Sequence, residues 1–218
     1  MSVLAPGHGP VAVFGGTFDP VHHAHLRVAL EAGEALDAHV HMVPASVPPH
    51  REQPLASAGQ RFAMLELALA GQQRLIADPR EIERAGASYT VDTLAGMRAE
   101  YGPSRPLVLL LGADAFAGLS TWHRWREIFA LAHVVALTRP GHGGVFEAEL
   151  AGEWYARRVD AIDELGRAPH GHCAPLEVTA LEISASAVRE CIARGGSARY
   201  LVPAAVDDYI RRNALYGA

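Results

Sequence analysis

The stretch Pro10 to His25, PVAVFGGTFDPVHHAH, decides the fold. Its first seven residues form a short apolar run that ends in two glycines. Such a run reads as a buried strand entering a tight loop. The periodicity then changes. His25 to Leu36 places Leu26, Ala29, Leu30 and Gly33 on one side of a helix. A strand, a glycine loop and a helix in that order make the opening half-unit of an α/β domain.

The rest of the chain repeats the alternation. His39 to Val43 reads as a strand. Pro44 to Ser57 carries prolines at 44, 48, 49 and 54 and reads as a loop of the kind that binds ligand. Gly59 to Leu69 is expected to be helical, Arg74 to Ala77 a strand, Glu81 to Arg84 extended and Thr90 to Glu100 helical. Leu107 to Leu111, LVLLL, suits a central parallel strand buried on both faces. Helices are expected at Trp122 to Ala130, Glu147 to Leu165, Ser184 to Arg194 and Pro203 to Ala214, and strands at His133 to Leu137 and Leu176 to Leu181. The pattern predicts one α/β domain over residues 1–218 with a mainly parallel sheet. A motif-bearing core would span about 11–195 and a C-terminal helical part about 196–218.

Composition narrows the chemistry. The 218 residues are 50% hydrophobic and 20% charged, with a net charge of −5. That balance suits a soluble globular domain and argues against general nucleic-acid binding. All 19 basic residues are arginine. Schiff-base lysine chemistry and lysine-based phosphate loops are therefore excluded. Cys173 and Cys191 match no zinc or redox spacing and read as free thiols of a reducing compartment. No apolar run approaches the length of a membrane span, and residues 1–10 lack a signal-peptide pattern. These readings predict a cytoplasmic protein with no membrane partner.

Ligands of open α/β sheets bind beyond the carboxyl ends of the strands. After the first strand, Gly15 and Gly16 let backbone approach a ligand, Thr17 offers a hydroxyl and Asp19 a carboxylate. His22 and His25 are three apart at a helix mouth, where free N–H groups and the positive dipole end favour an anion. Asp19 reads equally well as a loop-fixing acceptor. G-x-G-x-x-G is missing, which disfavours a dinucleotide dehydrogenase. Near the end, Ile183-Ser184-Ala185-Ser186-Ala187-Val188-Arg189 puts two hydroxyls and an arginine fork at another helix start, with Ser184 as N-cap.

These two stretches resemble the GxFDPxHxGH loop and the I-S-S-T-x-I-R motif of the nucleotidyltransferase superfamily. Three further segments resemble bacterial nicotinate mononucleotide adenylyltransferases. Pro44 to Arg51, PASVPPHR, is similar to their P-x-x-x-P-P-H-K loop, and Ser88 to Leu94, SYTVDTL, to S-Y-T-x-D-T-L. Leu111 to Asp114 with Trp122 is similar to I-G-x-D…W, and Thr138 to Gly141 to an R-P-G turn. The resemblance runs from about Val11 to the C-terminal helix. Ala24, Arg51, Ala185 and Ser186 depart from the pattern, each mildly.

The resemblance implies a Rossmann-like, doubly wound sheet with helices on both faces. It implies adenylyl transfer from ATP to nicotinate mononucleotide, giving deamido-NAD and pyrophosphate without a covalent intermediate. His22, His25 and Arg189 would carry the catalysis. Gly15, Gly16, Thr17, Phe18, Ile183, Ser184 and Ser186 would complete the ATP phosphate site, and Gly112 and Asp114 would meet the ribose. Thr17, Arg51, Tyr89, Thr90, Trp122 and Arg139 would hold nicotinate mononucleotide, with Trp122 on the pyridine ring. Magnesium would bridge substrate phosphates, with no protein metal cage. Oligomeric state stays open. Two other readings stand beside this one: a pantetheine-phosphate or other small-molecule nucleotidyltransferase, and a non-catalytic metal or nucleotide module using His22, His23, His25 and His41. His39, His41, Trp125 and Trp154 read as packing or surface residues. Asp92 reads as organising the Thr90 helix start, and His170 and His172 as facing solvent.

Overall fold

The computed structural model describes residues 9–47, 53–84, 86–138 and 148–218. In chain order the regular elements are β1 (Val11–Gly16), α1 (His23–Ala35), β2 (His39–Pro44), α2 (Ala58–Leu69), β3 (Leu75–Ala77), α3 (Arg80–Glu83) and α4 (Thr90–Tyr101). Then follow β4 (Leu107–Gly112), α5 (Ala113–Ala117), α6 (Ile128–Leu131), β5 (His133–Thr138), α7 (Ala148–Arg157), β6 (Cys173–Glu177), α8 (Ala185–Ala193) and α9 (Ala204–Arg212).

The strands form one sheet in the order β3-β2-β1-β4-β5-β6, and every pairing is parallel. This is the doubly wound order, which reverses direction between β1 and β4. Strand residues alternate between two cores. Ala12, Phe14, Val108 and Leu110 enter one apolar cluster, while Val11, Val13, Leu107, Leu109 and Leu111 enter the other. The LVLLL run is apolar throughout because both of its faces are covered. Among the described residues, no helix is long and apolar enough to cross a membrane.

Local chemistry explains several boundaries. The proline-rich loop ends at Ser57, whose hydroxyl accepts from the Gln60 N–H while the Gln60 side chain accepts from the Ser57 N–H. This reciprocal cap starts α2. Ser184 caps α8 by accepting from the Ala187 N–H at 3.1 Å.

Four expected elements are corrected. Arg80–Glu83 is a helical turn rather than an extended piece, and Glu81 is drawn inward by the Thr93 hydroxyl at 2.6 Å. Trp122 to Ala130 is not one helix. Arg124 sits in the left-handed region at φ 53°, so only Trp125–Glu127 and α6 are helical, and α5 was not anticipated. The long helix expected over Glu147 to Leu165 stops at Arg157, because the Val159 N–H bonds the Cys173 carbonyl and the chain runs beside β6. A 3-10 segment, Ile162–Arg167, follows. The last strand is Cys173–Glu177 rather than Leu176 to Leu181. Pro175 lies within it, which an edge strand tolerates.

Candidate active site

The carboxyl ends of β1 and β4 flank the point where the strand order reverses, and a cleft of about 980 Å³ opens there. That volume is at the upper end of the roughly 300–1,000 Å³ of small-molecule sites. Gly15, Gly16, Thr17, Phe18, His22, His25, Gly112, Asp114, Ile183, Ser184, Ser186 and Arg189 all line it. Every residue expected at ATP thus borders one space, although the set is drawn from three separate stretches of chain. Ala24 lines it too, so its extra methyl faces the same volume.

The loop between β1 and α1 is shaped from within. Phe18 is fully buried with its backbone in the left-handed region at φ 50°. For an aromatic residue that conformation is costly and persists only where surroundings impose it. Its ring packs edge-on against His25 at 5.0 Å and against Phe14 at 6.1 Å. A Cβ on Gly16 would come within 2.8 Å of that ring, so Gly16 and the buried Phe18 require each other. Beyond Phe18 the rings of His22 and His25 stack at 3.7 Å and 21°.

His22 is only 4% exposed, and its Nδ1 has no hydrogen-bond partner among the described residues. Burial, with a smaller contribution from His23, lowers its pKa to about 4. An imidazole in that state is neutral at pH 7 and keeps unspent hydrogen-bonding capacity. His23 does not line the cleft. Arg189 reaches across from α8. One guanidinium nitrogen donates to the Asp19 carbonyl at 2.8 Å and another to the Ser186 hydroxyl at 3.3 Å. The fork is thereby aimed before any anion arrives.

Asp19 has a structural job. It is 4% exposed, and its carboxylate accepts from the Leu55 and Ala56 N–H groups at 2.9 and 3.1 Å and from the Tyr216 hydroxyl at 2.6 Å. The loop-fixing alternative is the one its bonds support, with donors from distant segments rather than its own turn. The far end of the proline-rich loop contributes Gln53, Pro54 and Leu55 to the cleft wall. Leu55 is 71% exposed there.

The residues expected at the pyridine ring are placed differently. Tyr89, Thr90 and Trp122 do not line the cleft. Tyr89 and Trp122 are half-buried against the second core. A chain of bonds links them to the cleft. The Ala45 N–H donates to the Gly16 carbonyl, the Ser46 N–H to the Ser88 hydroxyl, and the Ser88 N–H to the Val47 carbonyl. Arg51 and Arg139 lie outside the described residues. Asp92 pairs with Arg124 at 3.5 Å instead of capping α4.

Sequence reasoning missed four residues. Arg61 is 1% exposed and donates to the carbonyls of Thr17, Ser46 and Ala56 at 2.7, 3.2 and 3.3 Å. The available signal was an arginine on the same helical stripe as Met64 and Leu65. Glu31 accepts the Thr179 N–H at 2.7 Å and so holds a segment that lines the cleft. Tyr216 is tied to Asp19, and the His123 ring lies 4.4 Å from that of Tyr89. Nothing local in the sequence announces these three. His170 is exposed as expected, while His172 is half-buried and stacks on His133 at 5.4 Å. His39 is exposed and His41 buried, while Trp125 and Trp154 pack in the second core.

The histidine metal module does not assemble. The Nδ1 of His41 bonds Asp78 at 2.7 Å and its Nε2 meets the Tyr101 hydroxyl at 3.1 Å, so it is occupied elsewhere. Among the described residues, no three His, Cys, Asp or Glu side chains converge on a point.

Residues 13–191 match the cytidylyltransferase-like family, and the chain belongs to that family. A probable nicotinate-nucleotide adenylyltransferase of Dechloromonas aromatica is 48% identical over 95% of this chain and 97% of its own. One of Marinobacter nauticus is 47% identical over 94% and 96%. Within the family, the chain groups with the nicotinate-nucleotide adenylyltransferases, enzymes of NAD biosynthesis. The fold is that of a Plasmodium falciparum nicotinic acid mononucleotide adenylyltransferase complexed with NaAD, with TM-score 0.72 over 96% of this chain and 98% of that one at 16% identity.

Proposed function

We propose that this cleft transfers the adenylyl group of ATP to the 5′-phosphate of nicotinate mononucleotide, releasing pyrophosphate and deamido-NAD. The observation that carries the proposal is the stacked His22–His25 pair facing the same space as the α8 start and the Arg189 fork. The mononucleotide phosphate attacks the α-phosphorus, and the bond to the bridging oxygen of pyrophosphate breaks. No protein nucleophile takes part. The protein's task is positioning and stabilising charge on phosphoryl oxygens.

The roles follow from what each group offers. The Nδ1 of His22, without a partner among the described residues, makes a buried imidazole ready for a phosphate oxygen, and negative charge nearby favours its protonated form. His25, held by Phe18, shares the contact. Arg189, Ser186 and the N–H groups at the start of α8 hold the leaving β and γ phosphates. Gly15, Gly16 and Thr17 bring backbone and a hydroxyl to the phosphates, and Gly112 and Asp114 face the ribose. Ile183 closes the wall beside Ser184.

The Asp19 carboxylate is engaged by three hydrogen-bond donors, and magnesium would be brought by ATP and would offset charge on the phosphoryl oxygens. The resemblance of their segments to the nicotinate mononucleotide adenylyltransferases supports Trp122, Tyr89, Thr90, Arg51 and Arg139 as the groups that would hold the pyridine mononucleotide and offer donors to its carboxylate. The cytoplasm is the compartment this reading assigns to the protein, in keeping with its two free cysteines.

The test is pyrophosphate release with ATP and magnesium, run in parallel on nicotinate and nicotinamide mononucleotides. Strong preference for the acid is expected. Equal use of both would refute the donor-only pocket, and release with neither would refute the substrate.

A further inference from the structure

The β1–α1 loop is held from outside the cleft by two residues that do not line it. Arg61 on α2 is buried, yet its guanidinium donates to three main-chain carbonyls: Thr17 in the loop, Ser46 after β2, and Ala56 before α2. Only a planar fork with several donors reaches three acceptors on separate segments at once. Tyr216 lies 197 residues from Asp19 along the chain and donates to its carboxylate at 2.6 Å. It does so from a turn whose backbone is held in the left-handed region at φ 61°. Left-handed backbone at a non-glycine residue persists where the surroundings impose it. Burial and Asp19 together push the phenol well above its ordinary pKa, so it stays protonated and remains a donor.

The two anchors grip neighbouring parts of the loop, Arg61 at the Thr17 carbonyl and Tyr216 at the Asp19 carboxylate. The carboxylate of Asp19 takes the Tyr216 hydroxyl and the Leu55 and Ala56 N–H groups, while its carbonyl takes the Arg189 guanidinium. One residue thus sets the loop's carboxylate side and the direction of the phosphate-facing arginine. A Cβ on Gly217, next to Tyr216, would meet Ala193 of α8 at 3.6 Å, so this turn lies close to the helix that carries Arg189. Loss of either anchor leaves a buried acceptor short of a donor, and the loop relaxes to recover one.

We propose that Arg61 and Tyr216 are positioning residues for adenylyl transfer: acting through Thr17 and Asp19, they fix where His22 and Arg189 stand. The proposal rests on the reading of His22 and Arg189 as phosphate-facing groups. It concerns turnover more than affinity, because a small displacement of groups that act in the transition state costs rate first.

Tyr216→Phe removes one hydroxyl and keeps the ring. Its kcat should fall about tenfold, with both KM values within about twofold of wild type. Arg61→Lys, with a point charge in place of the fork, should fall further, by about thirtyfold or more. Ile210→Val, in the buried face of α9, is the control for loosening the same part of the molecule. It should lower the unfolding midpoint and leave kcat unchanged. His22→Ala, measured alongside, reports on the reading beneath the proposal. If Tyr216→Phe behaves like Ile210→Val while His22→Ala is impaired, the proposal is overturned and the site stands. If His22→Ala turns over like wild type, the site reading fails and the proposal falls with it.

Discussion

Two pairs of histidines lie at different places in the fold and look alike at first. His22 and His25 stack at 3.7 Å beside the cleft, and His133 and His172 stack at 5.4 Å and 6° beyond the start of β5. Burial lowers the pKa of both His22 and His133 to about 4. The difference is in the bonds. His133 accepts the His172 N–H on Nδ1 and meets the Ala168 carbonyl through Nε2, so both ring nitrogens are used and its tautomer is fixed. His22 has an Nδ1 with no partner among the described residues, next to a space large enough for a nucleotide. A depressed pKa therefore marks burial in both pairs, and only the unspent nitrogen marks a site that awaits a ligand.

The largest expected effect breaks the pairs apart by activity. His22→Ala and His25→Ala should each lower kcat by on the order of a hundredfold or more while the protein stays folded. His133→Asn should keep kcat, measured well below its unfolding midpoint. A pyrophosphate-release assay on the three variants checks both halves. Stability should show the reverse order. His133→Asn leaves the Ala168 carbonyl or the His172 N–H unpaired, at a cost of about 1–3 kcal/mol by denaturant titration.

The pH dependence is shared by the two pairs and sharpens the comparison. In the unfolded chain, histidine binds its proton with an ordinary pKa of 6.5, whereas native His22 and His133 do so only near 4. The unfolded state thus holds more protons between those limits, and stability rises with pH across them. Their contribution is fully present above pH 6.5 and is lost as pH falls toward 4, by up to about 3 kcal/mol for each group. Thermal melts from pH 7.5 to 4.5 should show the loss, and His133→Asn should flatten the slope. The smallest effect lies on the cleft wall. Glu31→Ala frees the Thr179 N–H and should raise KM for ATP by roughly threefold, with KM for the mononucleotide unchanged, as steady-state kinetics would show.

The doubly wound sheet was legible because periodicity and motif spacing are local. PVAVFGG, HVHMV, LVLLL and HVVAL each carry their own strand signal, and GGTFDPVHHAH marks the end where the cleft opens. The readings that failed turn on backbone conformation and strand tolerance that local periodicity does not report. Arg124 breaks the helix expected after Trp122 through its own backbone conformation, and the last strand lies over CAPLE, where a proline argues against it. The supporting residues stayed hidden because their partners are distant in sequence. Arg61 reads as an ordinary helix arginine until the carbonyls of Thr17, Ser46 and Ala56 surround it. Tyr216 has no local pattern at all, because its partner Asp19 is 197 residues away.

The most direct test of the contrast between the two pairs is nitrogen NMR of the imidazole rings during titration with magnesium and ATP. The ring nitrogens of His22 should shift on saturation as Nδ1 gains a partner, and those of His133 should stay where they are. A His22 that remains unmoved while ATP binds would contradict the assignment of the cleft pair to the phosphates.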